Sequence, residues 1–329
     1  MKCKSLATNN ILFILLCCVF AYGCTTTPTE LKTAESLMES KPDSALHILK
    51  DLNSNQLVGT SNKALFALLM SQALDKNDIK LETDSLISIA TDYYHESDPL
   101  HAGYAWFYHA RTANNRDSIN EQARNLLRAQ EYAEQTDDYK LRGLIYGEKG
   151  IMYKIQLQFD SSIHYSKLAY RAFSQIEDYR NSVLSLLNTG DLFLNLSKND
   201  SVLKYYLLAE KIVLKTNDIL LSSTVYRAFG SIYYKFRNYK LSLYYYTKAP
   251  LTHIAIYDSN KYYLIAKTYI QVNEIDSARK YLEKVTELQN MAPDYYRLWQ
   301  AIYKKRGNTQ KYIFYANKEN LAIDSLYSI

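Results

Sequence analysis

Apolar residues recur along most of the chain at the three- and four-residue spacing of an α-helix, and short polar segments interrupt them at regular intervals. An aspartate precedes an apolar stretch at five positions that are each 40 residues apart: Asp98, Asp138, Asp178, Asp218 and Asp258. A short acceptor side chain at such a position can bind the free N–H groups at the start of a helix. The pattern therefore predicts a helix after each aspartate.

A second helical start follows within most of these units. It is marked by an Asp-Ser pair, at Asp43-Ser44, Asp84-Ser85, Asp160-Ser161, Asp200-Ser201 and Asp276-Ser277. Aspartate and serine suit the unpaired N–H groups of a first helical turn. Each unit is therefore predicted to be a helical hairpin, with helix A after the capping aspartate and helix B after a short turn.

Small residues share the same 40-residue register. Helix A carries Ala110, Gly150, Gly190 and Gly230, and helix B carries Ala129, Ala169, Ala209 and Ala249, each 19 residues later. A glycine inside a helix costs about 1 kcal/mol relative to alanine. Its repetition at one position predicts that another helix packs closely there, and the alanine of helix B is the predicted contact.

The motif of these units resembles the tetratricopeptide repeat. The residues that carry the resemblance are Tyr146, Gly150, Tyr153, Phe159, Ile163 and Ala169 in one copy, and Tyr226, Gly230, Tyr233, Tyr239, Tyr246 and Ala249 in another. The resemblance implies an all-α fold, a right-handed α-solenoid of about seven hairpins whose A helices line a concave surface. The chain departs from the family in its period, 40 residues instead of about 34, and in lacking the proline that closes helix B.

The amino terminus has the features of a secretory signal. Lys2 and Lys4 precede ten consecutive apolar residues at 11–20, which are too few to span a bilayer. Gly23-Cys24 then resembles the bacterial lipobox, in which the cysteine is acylated. This implies a lipoprotein of the Bacteroidetes type, anchored in the cell envelope and facing the periplasm from the outer membrane; an ordinary cleaved signal or an uncleaved anchor is the alternative.

Five segments are predicted from these features. They are a signal peptide at 1–23, a polar tether at 24–30, irregular hairpins at 31–97, regular repeats at 98–285 and a capping segment at 286–329.

Composition excludes several classes of function. The chain has 9 glycines and 5 prolines among 329 residues but 32 tyrosines, which favours helices over a β-sandwich or a proline-rich linker. Loss of Lys2 and Lys4 with the signal lowers the net charge from +5 to +3, which argues against a nucleic-acid partner. All four cysteines lie at or before Cys24, so no disulfide or thiolate site is expected after it.

Candidate chemistry is sparse. Gly143, Gly147 and Gly150 lack the strand and the Gly-Lys-Ser/Thr of a phosphate-binding loop and are assigned to helix packing. His101 and His109 have no HExxH-type carboxylate beside them, so packed or solvent-facing histidines are expected. We therefore expect no catalytic residue, no metal site and no cofactor.

The concave surface is where a binding site is expected. Residues one position beyond the small residue of helix A, and a turn before or after it, should face this groove. The predicted groove residues are Arg111, Asn114, Lys154, Asp191, Asn195, Arg227, Ser231, Tyr234, Lys235, Tyr263, Lys267 and Gln271. Cations dominate the set, which favours a partner with an acidic segment or a C-terminal carboxylate, although a plain solvated face is the alternative.

Three hypotheses of function follow. The first is a non-enzymatic, lipid-anchored scaffold that binds protein or peptide partners and is held at a membrane by its acyl anchor. The second is a shortened relative of regulators in which such repeats precede a membrane helix and a DNA-binding domain. The third is a glycan-binding or hydrolytic lipoprotein.

Overall fold

A computed structural model describes residues 26–95, 98–287 and 292–327. Every regular element in these ranges is helical: sixteen α-helices and one short 3-10 helix at Ser54–Gln56. The chain divides into two compact units, which meet between Leu157 and Gln158. None of the described helices is both long enough and apolar enough to cross a membrane.

The N-terminal unit contains seven helices in antiparallel succession. They are α1 (Thr29–Leu37), α2 (Pro42–Asp51), α3 (Thr60–Lys76), α4 (Ser85–Tyr94), α5 (Pro99–Asn115), α6 (Ile119–Ala133) and α7 (Tyr139–Ile155). One apolar cluster joins α1 to α3, and a second extends from α3 to α7.

The C-terminal unit contains nine helices. They are α8 (Phe159–Gln175), α9 (Tyr179–Asn195), α10 (Asn199–Val213), α11 (Ile219–Lys235), α12 (Tyr239–Lys248), α13 (Ala255–Gln271), α14 (Ile275–Leu282), α15 (Ala292–Lys305) and α16 (Thr309–Tyr327). Its core is also segmental, with one apolar cluster around α9 to α12 and another around α13 to α16. Each helix packs mainly on its neighbours in the chain, as in other repeat proteins.

The predicted capping aspartates are confirmed at four of five positions. Asp98, Asp138, Asp178 and Asp218 each stand directly before a helix and accept hydrogen bonds from its first N–H groups. Asp258 was wrongly predicted as a cap, because α13 begins earlier and places it in the first turn.

There Asp258 instead accepts hydrogen bonds from the backbone N–H groups of Thr252 and His253, which fixes the loop before α13. The preceding helix stops at Lys248, two residues before Pro250, whose ring cannot continue a helix.

The turns between A and B helices explain the scarcity of glycine. Asp117, Ser197, Arg237 and Asn273 each follow the end of an A helix with a φ between 56° and 62°. The next residue donates its N–H to the carbonyl of the residue five positions earlier in the A helix, as Asn238 does to Tyr233 at 2.9 Å. Side chains other than glycine therefore occupy left-handed positions at a cost of about 1 kcal/mol each.

Two glycines of helix A, Gly190 and Gly230, are confirmed as points of close packing, but the contact is different from the predicted one. A Cβ atom at Gly190 would lie 2.7 Å from the ring of Tyr206, and at Gly230 it would lie under 3.0 Å from the ring of Tyr246. Ala209 and Ala249 are buried nearby without being the nearest neighbours. The large residue of helix B, 16 positions after the glycine, is what fills the space.

The predicted signal at 1–23 and Cys24 lie outside the described residues. The polar tether was predicted to reach residue 30, but α1 already begins at Thr29. The carbonyl of Thr26 also accepts a hydrogen bond from Asn62 of α3 at 3.3 Å. The described part of this segment is therefore held against the N-terminal unit.

We expect Gly230→Ala to lower the free energy of unfolding by about 1–2 kcal/mol, because the buried ring of Tyr246 leaves no room for a methyl group. Gly147→Ala is the matched control, since nothing lies within 4 Å of a Cβ at that helical position. It should raise stability by up to about 1 kcal/mol through helix propensity. Urea unfolding of the full chain measures both, and equal shifts would contradict the packing described.

Candidate functional site

The predicted groove residues are divided between the two units. Arg111 and Asn114 lie on α5 and Lys154 lies on α7, in the N-terminal unit. In the C-terminal unit α11 contacts both α9 and α13, so three consecutive A helices lie side by side. They carry the remaining residues: Asp191 and Asn195 on α9, Arg227, Ser231, Tyr234 and Lys235 on α11, and Tyr263, Lys267 and Gln271 on α13.

Arg111 is neutralised within the N-terminal unit. Its guanidinium donates to Asp75 of α3 at 2.9 Å and to Glu148 of α7 at 3.0 Å. Glu148 is only 5% exposed and also accepts from Gln122 at 2.8 Å. Although burial opposes its charge, the two carboxylates raise the pKa of Arg111. Arg111 therefore fastens three A helices to one another, while Lys154 is exposed.

Two predicted groove residues of the C-terminal unit hold the buried tyrosines. The Tyr206 hydroxyl donates to Asp191 at 2.7 Å, and the hydroxyls of Ser231 and Tyr246 are 3.0 Å apart. Burial, with the carboxylate of Asp191 beside it, raises the pKa of Tyr206, which keeps its hydroxyl protonated. The position after the glycine thus gives the tyrosine of helix B its polar partner.

Arg227 is a partly desolvated cation at the junction of α11 and α13. It donates through Nη1 to the carbonyl of Tyr257 at 3.2 Å, and its guanidinium lies 5.4 Å from the centre of the Tyr257 ring. Its Nε atom is buried and has no hydrogen-bond partner among the described residues. Burial lowers the pKa of Arg227, and Tyr257 and the carboxylate of Asp258 act against this shift.

A second cation lies further along the same two helices. The Lys267 ammonium is 5.6 Å from the centre of the Tyr234 ring and 5.8 Å from that of Tyr263. Burial raises the pKa of Tyr234, and a side-chain hydrogen bond with Gln271 lowers it in part. The structure therefore brings Tyr234, Tyr263, Lys267 and Gln271 together, as predicted for residues on one face.

Among the described residues no carboxylate forms a salt bridge with these cations, although Asp258 acts on Arg227 at longer range. The ion pairs between described residues of the C-terminal unit involve Lys248, Arg279, Arg297 and Arg306, and none involves Arg227, Lys235 or Lys267. We define these three cations with Tyr234 and Tyr263 as the α11–α13 face. It combines positive charge outside any salt bridge with the half-buried ring of Tyr234, whereas Tyr263 is buried beneath it at 7% exposure; such a face suits an extended anionic chain.

The acidic partners of Arg111 were not recognised from the sequence. Asp75 precedes Arg111 by 36 residues and Glu148 follows it by 37, close to one repeat in each direction. Comparing charges at this spacing would have shown that Arg111 is neutralised. Tyr257 gave no such signal, because the early start of α13 displaces it from the 40-residue register.

A small cleft is lined by Tyr257, the residue whose carbonyl accepts the hydrogen bond from Arg227. It has a cavity volume of about 70 Å³, and the N-terminal halves of α9, α11 and α13 line it with Arg180, Thr224 and Tyr257 among others. No three metal-ligating side chains converge on the α11–α13 face within the described residues. The one such group in those ranges is Asp84, His109 and Glu121 in the N-terminal unit.

Comparison with known proteins identifies the fold. No family model matches the sequence, and no curated protein matches it. Solved structures do match, among them a signal transduction ATPase from Pyrococcus horikoshii that has a tetratricopeptide repeat sensor, with a TM-score of 0.69 and 16% identity. The match covers 89% of this chain but 45% of the ATPase, so the chain spans less than half of that protein.

Two further structures match over nearly their whole length. The quorum sensor NprR from B. thuringiensis has a TM-score of 0.59 and 16% identity, with 90% of this chain and 93% of NprR covered. RapI has a TM-score of 0.61 and 12% identity, with 91% and 98% covered. The predicted all-α solenoid of tetratricopeptide-type hairpins is thereby confirmed as the fold.

We expect Arg111→Ala to destabilise the chain by about 3 kcal/mol, because it leaves the buried carboxylate of Glu148 without its cation. Lys154→Ala, on an exposed side chain of the adjacent A helix, should change stability by less than about 0.5 kcal/mol. Urea unfolding followed by circular dichroism measures both. An Arg111→Ala chain as stable as the Lys154→Ala chain would show that the ion pairs contribute nothing.

Proposed function

We propose that the chain is a non-enzymatic, lipid-anchored scaffold of the bacterial cell envelope that binds a protein or peptide partner on its α11–α13 face. The partner contributes an acidic segment or a C-terminal carboxylate. Cys24 carries the acyl anchor, and the repeats face the periplasm from the outer membrane.

The absence of a salt bridge at Arg227, Lys235 and Lys267, within the described residues, is the observation on which the binding surface rests, although Asp258 acts on Arg227 at longer range. Where Arg111 is neutralised by its own chain, these cations are not. A hydrogen bond to a charged group contributes about 1.5–3 kcal/mol in such a setting.

The aromatic residues of the face support a peptide as the partner. The half-buried ring of Tyr234 is held between Tyr239 and Lys267, so it loses little conformational freedom on binding. NprR, whose apo form matches this fold, has also been solved in complex with its cognate peptide NprX; that structure has a TM-score of 0.52 and 16% identity. A peptide ligand is therefore compatible with helices arranged in this way.

The location rests on the amino-terminal sequence. Lys2, Lys4 and the apolar residues 11–20 provide the signal, and Gly23-Cys24 provides the acylation motif. The four cysteines all lie in this segment, so an acyl chain on Cys24 would leave no thiol in the repeats.

A regulatory role is the second candidate. It is favoured by the printed descriptions of the matching structures, a quorum sensor and an ATPase with a tetratricopeptide repeat sensor. In that case the repeats sense a ligand on behalf of another domain. An in-frame continuation of the gene beyond Ile329, encoding an apolar segment of about 20 residues, would favour this candidate.

Substituting Arg227, Lys235 and Lys267 together by Glu should weaken the binding of peptides with an acidic C terminus, selected from a displayed library, about tenfold or more. Each lost charge-assisted contact is worth at least about 1.4 kcal/mol. Fluorescence anisotropy with the best library peptide measures the affinity.

The matched control reverses Lys204, Lys211 and Lys240, three exposed lysines on B helices, and changes the net charge equally. Its affinity should stay within about threefold of the original, because charges distant from the site act mainly through the overall field. Equal losses in both triple variants would show that attraction is nonspecific and would overturn the assignment of the face.

Cys24→Ser should move the protein from the membrane fraction to the soluble fraction of the envelope, because a serine hydroxyl cannot carry the thioether-linked lipid. Cys18→Ser is the control, since this cysteine lies within the apolar run and should leave anchoring intact. Immunoblotting of separated fractions measures the distribution. A Cys24→Ser protein that stays with the membrane would contradict lipid anchoring without affecting the binding-site assignment.

A further inference from the structure

Three helices of the N-terminal unit bring a histidine and two carboxylates together. Asp84 precedes α4, His109 lies on α5 and Glu121 lies in the first turn of α6. The His109 Nε2 atom is 3.8 Å from an Asp84 oxygen and 3.7 Å from a Glu121 oxygen. The three atoms all lie within 4.8 Å of one another. His109 is distant in sequence from both acids, so the sequence motifs gave no sign of this group.

These distances are too long for hydrogen bonds and close to the spacing of metal ligands. An N–H···O hydrogen bond has its heavy atoms 2.7–3.2 Å apart. Two ligands of a tetrahedral zinc ion, at bond lengths of about 2.0–2.2 Å, are separated by about 3.4 Å. Small side-chain movements would therefore place all three atoms around one ion.

The neighbouring residues hold the imidazole in place, and Asp84 has no capping role that would occupy its side chain. Asp84 occupies the N-cap position of α4, yet its side chain accepts no capping hydrogen bond, unlike Asp98 before α5. The His109 ring is 12% exposed and stacks on Trp106, with 5.4 Å between ring centres and 8° between planes. The second ring nitrogen, Nδ1, is buried and has no hydrogen-bond partner among the described residues.

We propose that Asp84, His109 and Glu121 form a binding site for a divalent metal ion, with Zn²⁺ as the best match for one imidazole and two carboxylates. The ion would join α4, α5 and α6 through three protein ligands and leave its fourth position to water. This metal site goes beyond the proposed binding function, and its residues lie on other helices than the α11–α13 face.

Arg116 supplies the positive charge when the metal is absent. Its guanidinium contacts Glu121 at 2.6 Å and Asp84 at 3.6 Å, on the same two carboxylates. The ion must displace this side chain, which is 30% exposed and can turn toward solvent. Removing Arg116 should therefore free the ligands instead of destroying the site.

His101 offers a matched control on the same helix. It also has two carboxylates within 4 Å, but Asp98 contacts its Nδ1 at 2.5 Å and Glu35 faces its Nε2 at 3.7 Å. Because the acids approach opposite nitrogens, they cannot share one ion with the ring. His101 therefore reproduces the composition of the site without its geometry.

Isothermal titration of the full chain with ZnCl₂ tests the proposal. We expect one site that His109→Gln and Asp84→Asn each weaken about tenfold or more, whereas His101→Gln stays within about twofold. Arg116→Ala should bind zinc as tightly as the unaltered chain or more tightly. Binding by the cysteines is common to all these variants and cancels in the comparison.

The melting temperature provides a second readout. Zn²⁺ should raise the melting temperature of the unaltered chain and not that of Asp84→Asn. The side chain of Asp84 is half-exposed, so this substitution does not disturb the core. Equal zinc affinity in the unaltered and His109→Gln chains would overturn the proposal. So would a tenfold loss in Arg116→Ala, which would show that the cluster is an ion-pair network alone.

Discussion

The packing of a tyrosine ring against a glycine is the contact that sets the pairing of α9 with α10 and of α11 with α12. Tyr206 covers Gly190 and Tyr246 covers Gly230, so helix B approaches helix A as closely as the missing side chain allows. The hydroxyl of each tyrosine then reaches the next residue of helix A, Asp191 or Ser231. One side chain therefore sets the distance between the two helices and uses a polar position on the candidate binding face.

Charge distinguishes the surfaces of the two units. In the N-terminal unit Arg111 lies between Asp75 and Glu148, and the ion pairs join three A helices. In the C-terminal unit the hydroxyls of Tyr206 and Tyr246 bond the A helices α9 and α11, the ion pairs lie elsewhere, and Arg227 and Lys267 are left beside aromatic rings. Ion pairs that stabilise a repeat consume the charges that a partner would need, so the two arrangements suit different tasks.

Much of the fold could be predicted from the sequence because its determinants are local. Four capping aspartates and the helical glycines stand in one register, and the structure confirms both. Asp258 was predicted wrongly because the early start of α13 depends on the loop after Pro250. The neutralisation of Arg111 and the grouping of Asp84, His109 and Glu121 depend on contacts between helices, which no local pattern reveals.

Site-specific photo-crosslinking tests most directly whether the α11–α13 face binds the partner. Tyr234 lies on this face, whereas Tyr244 is 54% exposed on a B helix of the same unit, so a photoreactive phenylalanine can replace either tyrosine conservatively. Irradiation of intact cells should crosslink a discrete partner from position 234 and not from position 244. A partner captured from position 244 alone would contradict the account.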